Sequence, residues 1–200
     1  AVALDCGGAE LIVLKADLLT ETGDVMQAET SLEKAIEKYP MDAELRSIVA
    51  TRRIAEGRIE VAQALLDNTP ATIDHPELHI VEGRLHLARA DRLRDGTGKT
   101  DQILLGSAIK SFEAALELNR ELGVAWLGLA RTQRLMKNLD EAGESLTRAR
   151  RLLGETNSPC SIEAAMLAID NDDTHAATRY IDAAEIQGSN EAIAYVRGNI

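Results

Sequence analysis

Residues 123–149, GVAWLGLARTQRLMKNLDEAGESLTRA, decide the fold. In the second half, Ala142, Leu146 and Ala149 recur at spacings of four and three, the period of one face of an α-helix. The first half, Val124–Met136, reads as another helix, with Trp126 and Leu129 on its apolar side and the small residue Ala130 at its packing point. A small residue there lets two helices approach closely. The unit is therefore a helix, a short turn and a second helix.

The same marker recurs in both directions. Towards the amino terminus it is Ala108, Phe112, Ala115, then Ala62, Leu66, Thr69, then Ala28, Leu32, Ala35; towards the carboxyl terminus it is Ala177, Ile181, Ala184. Ala28 to Ala62 and Ala108 to Ala142 are each 34 residues, and Ala142 to Ala177 is 35. The one long interval, Ala62 to Ala108, is 46 residues, one period plus an insertion of 12. Such a period marks an array of supersecondary units. First helices are expected at Glu10–Thr20, Ala43–Ala55, Glu77–Ala90, Val124–Met136 and Ser161–Asp170, with Ala16, Ala50, Gly83, Ala130 and Ala165 at the close-packing points. Turn-forming residues fall between units, at Tyr39-Pro40, Thr69-Pro70 and Ser158-Pro159.

The pattern resembles the tetratricopeptide repeat family. Residues 9–42 supply Ala16, Gly23, Ala28, Leu32, Ala35 and Pro40, and residues 123–156 supply Trp126, Leu129, Ala130, Ala142, Leu146 and Ala149. The resemblance implies one all-α, right-handed superhelical solenoid over residues 1–200. Its units are expected at about 9–42, 43–75, 76–122 with the insertion near 91–102, 123–157 and 158–190. Ala1–Cys6 reads as the tail of a second helix and Gly188–Ile200 as the start of a first, so partial repeats are expected at both ends of a longer array.

Composition agrees. Of 200 residues, 45% are apolar, 28% charged and 2% aromatic, and the net charge is −11. The acidic balance argues against a nucleic-acid partner, which needs a basic face. No apolar run approaches the roughly 18–20 residues that span a bilayer. Cys6 and Cys160 have no metal-ligand spacing and read as small apolar residues.

Several stretches imitate chemical motifs. Gly96-Thr97-Gly98-Lys99-Thr100 lacks the first glycine of a phosphate loop, since Leu93 stands there, and reads as a flexible tip. His79, Glu82 and His86 share a helical face but occupy packing slots, so no metal is expected. Asp170, Asp172 and Asp173 lack the Gly and Glu of a calcium loop and read as a helix cap. With no acid–base couple in view, neither catalysis nor a cofactor is expected.

By resemblance, the first helices line a concave groove. Its amino-terminal part is acidic and polar. Its carboxyl-terminal part combines Ile80, Leu87, Leu127, Ile162 and Met166 with Arg84, Arg131 and Arg134. These eight residues are the expected contact for a protein or peptide with apolar anchors and acidic flanks. Asp170 or Glu77 is the internal alternative for neutralising the arginines. The extra residues are expected to lengthen both helices of the third unit, with Asp101 as a cap and Asp95–Thr100 as a protruding tip. The implied function is an interaction scaffold, a role that relatives play in bacterial secretion, pilus and exopolysaccharide-export assemblies. The alternatives are an accessory domain of a larger transferase or kinase, and self-association through the ends.

The register is testable. Ala130→Leu should overpack a helix–helix contact and cost roughly 1–3 kcal/mol, read as a lowered urea or thermal midpoint; an unchanged midpoint would show that Ala130 is not at the packing point.

Overall fold

The computed structural model describes residues 8–185 and residue 198. The partial repeats expected at Ala1–Cys6 and Gly188–Ile200 lie outside the described residues, Gly198 apart. The described residues form ten helices: α1 Gly8–Glu21, α2 Val25–Lys38, α3 Ala43–Ala55, α4 Ile59–Asp67, α5 Pro76–Thr97, α6 Gln102–Leu118, α7 Gly123–Leu135, α8 Leu139–Leu153, α9 Ser158–Asp170 and α10 Thr174–Glu185. They pair as α1/α2 through α9/α10, and no strand occurs among the described residues.

The packing is asymmetric. Each first helix touches the next first helix, α1 to α3, α3 to α5, α5 to α7 and α7 to α9, and each also touches the second helix of the preceding pair. Among the described residues, the backbones of successive second helices stay apart, and only side chains bridge them, as where Arg150 of α8 lies over the Tyr180 ring of α10. A stack that is closed along one face and splayed along the other curves, with the first helices inside.

The marker residues make the core. Ala28, Leu32, Ala62, Ala108, Phe112, Ala115, Ala142, Leu146, Ala149, Ala177, Ile181 and Ala184 are all buried, and Thr69 is half-buried. The close-packing residues Ala16, Ala50, Gly83, Ala130 and Ala165 are buried as well.

Four of the five intra-pair turns use the same hydrogen bonds. After α1, the Asp24 N–H donates to the Leu19 carbonyl and the Gly23 N–H to that of Thr20; Arg58 and Gly57, Asn138 and Lys137, and Asp173 and Asp172 repeat this after α3, α7 and α9. This turn satisfies the last carbonyls of the helix but needs one left-handed residue. Glycine supplies it at Gly23 and Gly57, whereas Lys137 and Asp172 adopt it at φ 66° and 60°. The fifth turn lies in the lengthened pair. There α5 continues through Thr97, further than the sequence suggested, and Gly98 ends it at φ 69°. The tip shrinks to Gly98–Asp101. Asp101 accepts hydrogen bonds from the Ile103 and Leu104 amides and caps α6 as expected.

The tightest packing surrounds Phe112, the one phenylalanine of the chain. A Cβ built on Gly83 of α5 would lie 2.7 Å from the ring, and one on Gly128 of α7 only 2.4 Å. The ring thus fills the space that two missing side chains leave. Gly128→Ala removes a helix-interior glycine, which alone favours the helix by about 1 kcal/mol. Overpacking works against this by about 1–3 kcal/mol, and at 2.4 Å the aromatic ring must move. We expect net destabilisation, and a smaller penalty when the substitution is made on a Phe112→Leu background. Equal penalties in a double-mutant cycle would show that the ring does not set the limit.

Candidate functional site

The inner face carries a groove where α3, α5 and α7 meet. It encloses about 510 Å³ between Ser47, Ile48 and Thr51 of α3, Glu77, Ile80, Val81 and Arg84 of α5, and Glu121, Leu122, Gly123 and Val124 at the start of α7, with Leu153 closing one side. The lengths of α3 and α7 bring these residues level. Gly123 admits Leu153, which would otherwise meet a Cβ at 2.6 Å.

Arg84 is the cation of this groove, which Glu77 and Glu121 also line. It is half-buried and has no carboxylate or hydrogen-bond partner among the described residues. Burial alone acts on its guanidinium and pulls its pKa below the ordinary arginine value, yet an arginine remains charged at neutral pH.

The other groove arginines are neutralised from within the chain. Arg131 is exposed and donates to Asp91 of α5 at 2.7 Å. Arg134 is buried, donates through Nε to Glu163 of α9 at 2.5 Å and through Nη1 to Asp170 at 3.2 Å, and shares Asp170 with Lys137. Burial opposes its charge, but Glu163 and then Asp170 outweigh it and hold its pKa above the usual value. The internal alternative, with Asp170 as the counter-charge, is therefore what the structure shows for Arg134. It joins two first helices instead of facing a partner.

The apolar candidates divide similarly. Ile80 and Leu87 are buried in the core cluster around Phe112, because the lengthened α6 and the adjacent α7 cover that side of α5. Only the edge of Ile80 reaches the groove. Leu127 is half-buried against the Leu146 and Cys160 cluster, and Ile162 and Met166 against that of Ala165 and Ile181. The eight residues thus do not form one exposed strip. Ile80, Leu87 and Arg134 leave the accessible set, and Ile48, Thr51 and Val124 enter it beside Arg84.

Sequence reading also missed the polar framework. Arg53 is buried and donates to Glu29 at 2.5 Å and to Glu56 at 3.1 Å, and Arg58 reaches Glu29 at 2.8 Å. Burial raises the Glu29 pKa, but the hydrogen bonds from Arg53 and Arg58 outweigh it and hold it low. Arg52 bridges to Asp17 and to Thr20 of α1. Arg46, also buried, donates to the carbonyls of Pro40 and Leu65, pinning a loop to the end of α4. The arginine spacing carries no signal for this, since the partners lie up to 35 residues away.

The imitated motifs resolve as structure. His79 bonds Asp74 at 2.8 Å and Glu82 at 3.3 Å, with His86 not joining them. Among the described residues, no group of three or more His, Cys, Asp and Glu side chains is placed to hold a metal ion. Gly96 and Thr97 are helical. Asp173 caps α10 by accepting from the Ala176 amide. No helix among the described residues is long and apolar enough to cross a membrane.

Glu163→Ala should leave the Arg134 guanidinium buried with Asp170 alone and cost about 3 kcal/mol, measured by urea unfolding, because breaking a buried pair strands a charge. Replacing both partners by Met should cost much less. Equal costs would mean that the pair carries net stability in itself.

No family model matches the chain, and no curated protein sequence matches it significantly. Solved structures do. A thermophilic TPR protein of Thermus thermophilus, TTC0263, superposes with a TM-score of 0.74 at 18% identity, covering 96% of this chain and 98% of its own. Human IFIT1, solved as a dimer with PPP-AAAA, gives 0.71 at 20% identity over 94% of this chain, which spans 44% of IFIT1. YrrB, described as a TPR protein with an unusual peptide-binding site, gives 0.57 at 15% identity, covering 94% of this chain and 90% of its own. Helix order, turn geometry and these superpositions agree: the chain has the fold of a tetratricopeptide-repeat solenoid.

Proposed function

We propose that the chain is a non-catalytic protein-interaction scaffold whose inner groove takes a peptide or helix, with an acidic residue over Arg84 and apolar residues against Ile48, Leu122 and Val124. The observation that carries this reading is Arg84, a half-buried guanidinium without a carboxylate, where Arg131 and Arg134 are both neutralised internally. A desolvated cation left unpaired is costly, and a partner carboxylate removes that cost. Glu77 and Glu121, on the rim, add a preference for a basic residue in the same segment. The peptide-binding site described for YrrB supports the class of ligand. The net charge of −11 disfavours the nucleic-acid alternative. The reading is non-catalytic because the best-placed carboxylates, Glu29, Glu56, Glu163 and Asp170, are engaged by arginines. Placement in a bacterial secretion, pilus or exopolysaccharide-export assembly rests on the family resemblance.

Self-association is favoured by a separate observation. Leu11, Leu14 and Leu18 of α1 are 68%, 55% and 54% exposed. One period on, Leu45 is buried beneath α2 in the same register as Leu11.

The groove reading is tested on an array of peptides that combine aliphatic residues with a single Asp or Glu. Arg84→Glu should abolish capture, and Arg84→Ala should weaken it about tenfold or more, as loss of a charge-assisted contact implies. Arg84→Ala, which removes an unpaired desolvated charge, should leave the melting midpoint unchanged or higher. Capture that is indifferent to Arg84 would sink the reading.

A further inference from the structure

Three successive units hold the loop before them by the same device. Arg46, His79 and Trp126 are each the fourth residue of a first helix, in α3, α5 and α7. From that position each side chain turns a ring or guanidinium nitrogen back onto the loop that leads into its helix. The Arg46 Nε donates to the Pro40 carbonyl at 2.8 Å, six residues earlier. The Trp126 indole N–H donates to the Arg120 carbonyl at 2.9 Å, again six residues earlier. The His79 Nε2 meets the Asp74 carboxylate at 2.8 Å, five residues earlier.

The middle latch differs in its chemistry. Arginine and tryptophan are permanent donors near neutral pH. A neutral imidazole has one N–H and one lone pair, and only the imidazolium donates from both nitrogens. Both nitrogens of His79 face carboxylates, since Nδ1 lies 3.3 Å from Glu82 Oε2, one turn along α5. An ionised carboxylate only accepts. The neutral ring therefore holds one partner at most and turns a lone pair on the other. Burial disfavours the charged ring, but the hydrogen bonds to Asp74 and Glu82 outweigh it and raise the His79 pKa above its ordinary value.

The surroundings add no competing charge. The small cavity beside the ring is walled by Leu66 of α4 and by Thr69, Pro70, Ala71 and Ile73 of the loop, and α6 contributes none of its lining. Just before α5, His75 lies against Glu77 at 2.6 Å. His86 lies one turn beyond Glu82, where burial and then Arg89 pull its pKa down. Ile73, in the same loop as Asp74, packs against the apolar cluster that α3, α4 and α5 share.

We propose that His79 is a proton-dependent latch, which fastens the α4–α5 loop onto α5 when the imidazole is charged and loosens it as the proton leaves. Its stabilisation is complete below the unfolded-chain histidine value of about 6.5 and is lost as the pH rises through the higher value of the folded protein. The Arg46 and Trp126 latches contain no donor that titrates in that range and stay closed. Of these three inter-unit loops, the one before α5 is thus the one whose hold follows pH. None of His79, Asp74 and Glu82 lines the Arg84 groove, so the latch does not rest on what that groove binds.

Proton NMR of the histidine rings, with His79 assigned through His79→Gln, is expected to place its titration midpoint above about 6.5. Asp74→Asn and Glu82→Gln should each lower that midpoint; these side chains are 69% and 43% exposed, so both variants should fold. Amide exchange reads the loop itself. The Ile73 amide bonds the Pro70 carbonyl at 2.9 Å, and the Asp42 amide bonds the Tyr39 carbonyl at 3.1 Å in the loop that Arg46 holds. Between about pH 5.5 and about pH 8.5 the protection factor of Ile73 should fall roughly two- to fivefold, the scale of a partly exposed charge pair, while that of Asp42 stays level. In Asp74→Asn the Ile73 factor should be low at both pH values. The proposal is overturned by a His79 midpoint at or below about 6.5, by a midpoint that neither carboxylate variant moves, or by Ile73 protection that is indifferent to pH or to Asp74→Asn.

Discussion

The fit of the Phe112 ring between Gly83 and Gly128 is the constraint on which the middle of the solenoid depends. Repeats of this kind are held by contact between a second helix and the first helices on either side, and the separation is set by what lies between them. Here the largest fully buried side chain enters from α6, and both facing helices give way with glycine. Each glycine weakens its helix by about 1 kcal/mol relative to alanine. A fully buried phenylalanine contributes roughly 1.5–3 kcal/mol relative to exposure, so the exchange favours the closer packing. The consequence reaches further than the core. The separation of α5 and α7 sets the width of the inner groove.

Charge is distributed with a similar division of labour. Arg53 and Arg134 are buried and add an ion pair between helices that apolar clusters also join, α3 to α2 and α7 to α9. Such pairs add little net stability over apolar substitutes, because desolvation offsets attraction. What they add is register: with either partner displaced by a turn, a charge would be buried alone. The arginines so engaged are removed from any binding role, and this gives Arg84 its significance.

How legible this was in the sequence depended on whether a residue acts through local period or distant partners. The helix pairs were visible because Ala28, Leu32 and Ala35 repeat as Ala142, Leu146 and Ala149, and small size at fixed spacing can be read without coordinates. Asp101 was legible as a cap for the same reason. The turns at Lys137 and Asp172 were less so: they adopt the left-handed conformation without glycine, because the two backbone hydrogen bonds of the turn outweigh the local strain. Arg134 was misplaced. Its register position points to the groove, but its long side chain reaches Glu163, a carboxylate set among alanines 29 residues away. Ile80 and Leu87 are buried in the cluster around Phe112, which their place on the lining face of α5 does not reveal.

Curvature connects these observations. First helices in mutual contact leave a narrow inner face on which side chains from adjacent helices meet, so charges there can be neutralised in pairs, and an exception is conspicuous. Second helices, whose backbones stay apart, leave wider gaps that only long side chains cross, as Arg58 does to reach Glu29, so several charges there stay unpaired. Unpaired charge on the outer face is therefore weaker evidence of function than unpaired charge on the inner face.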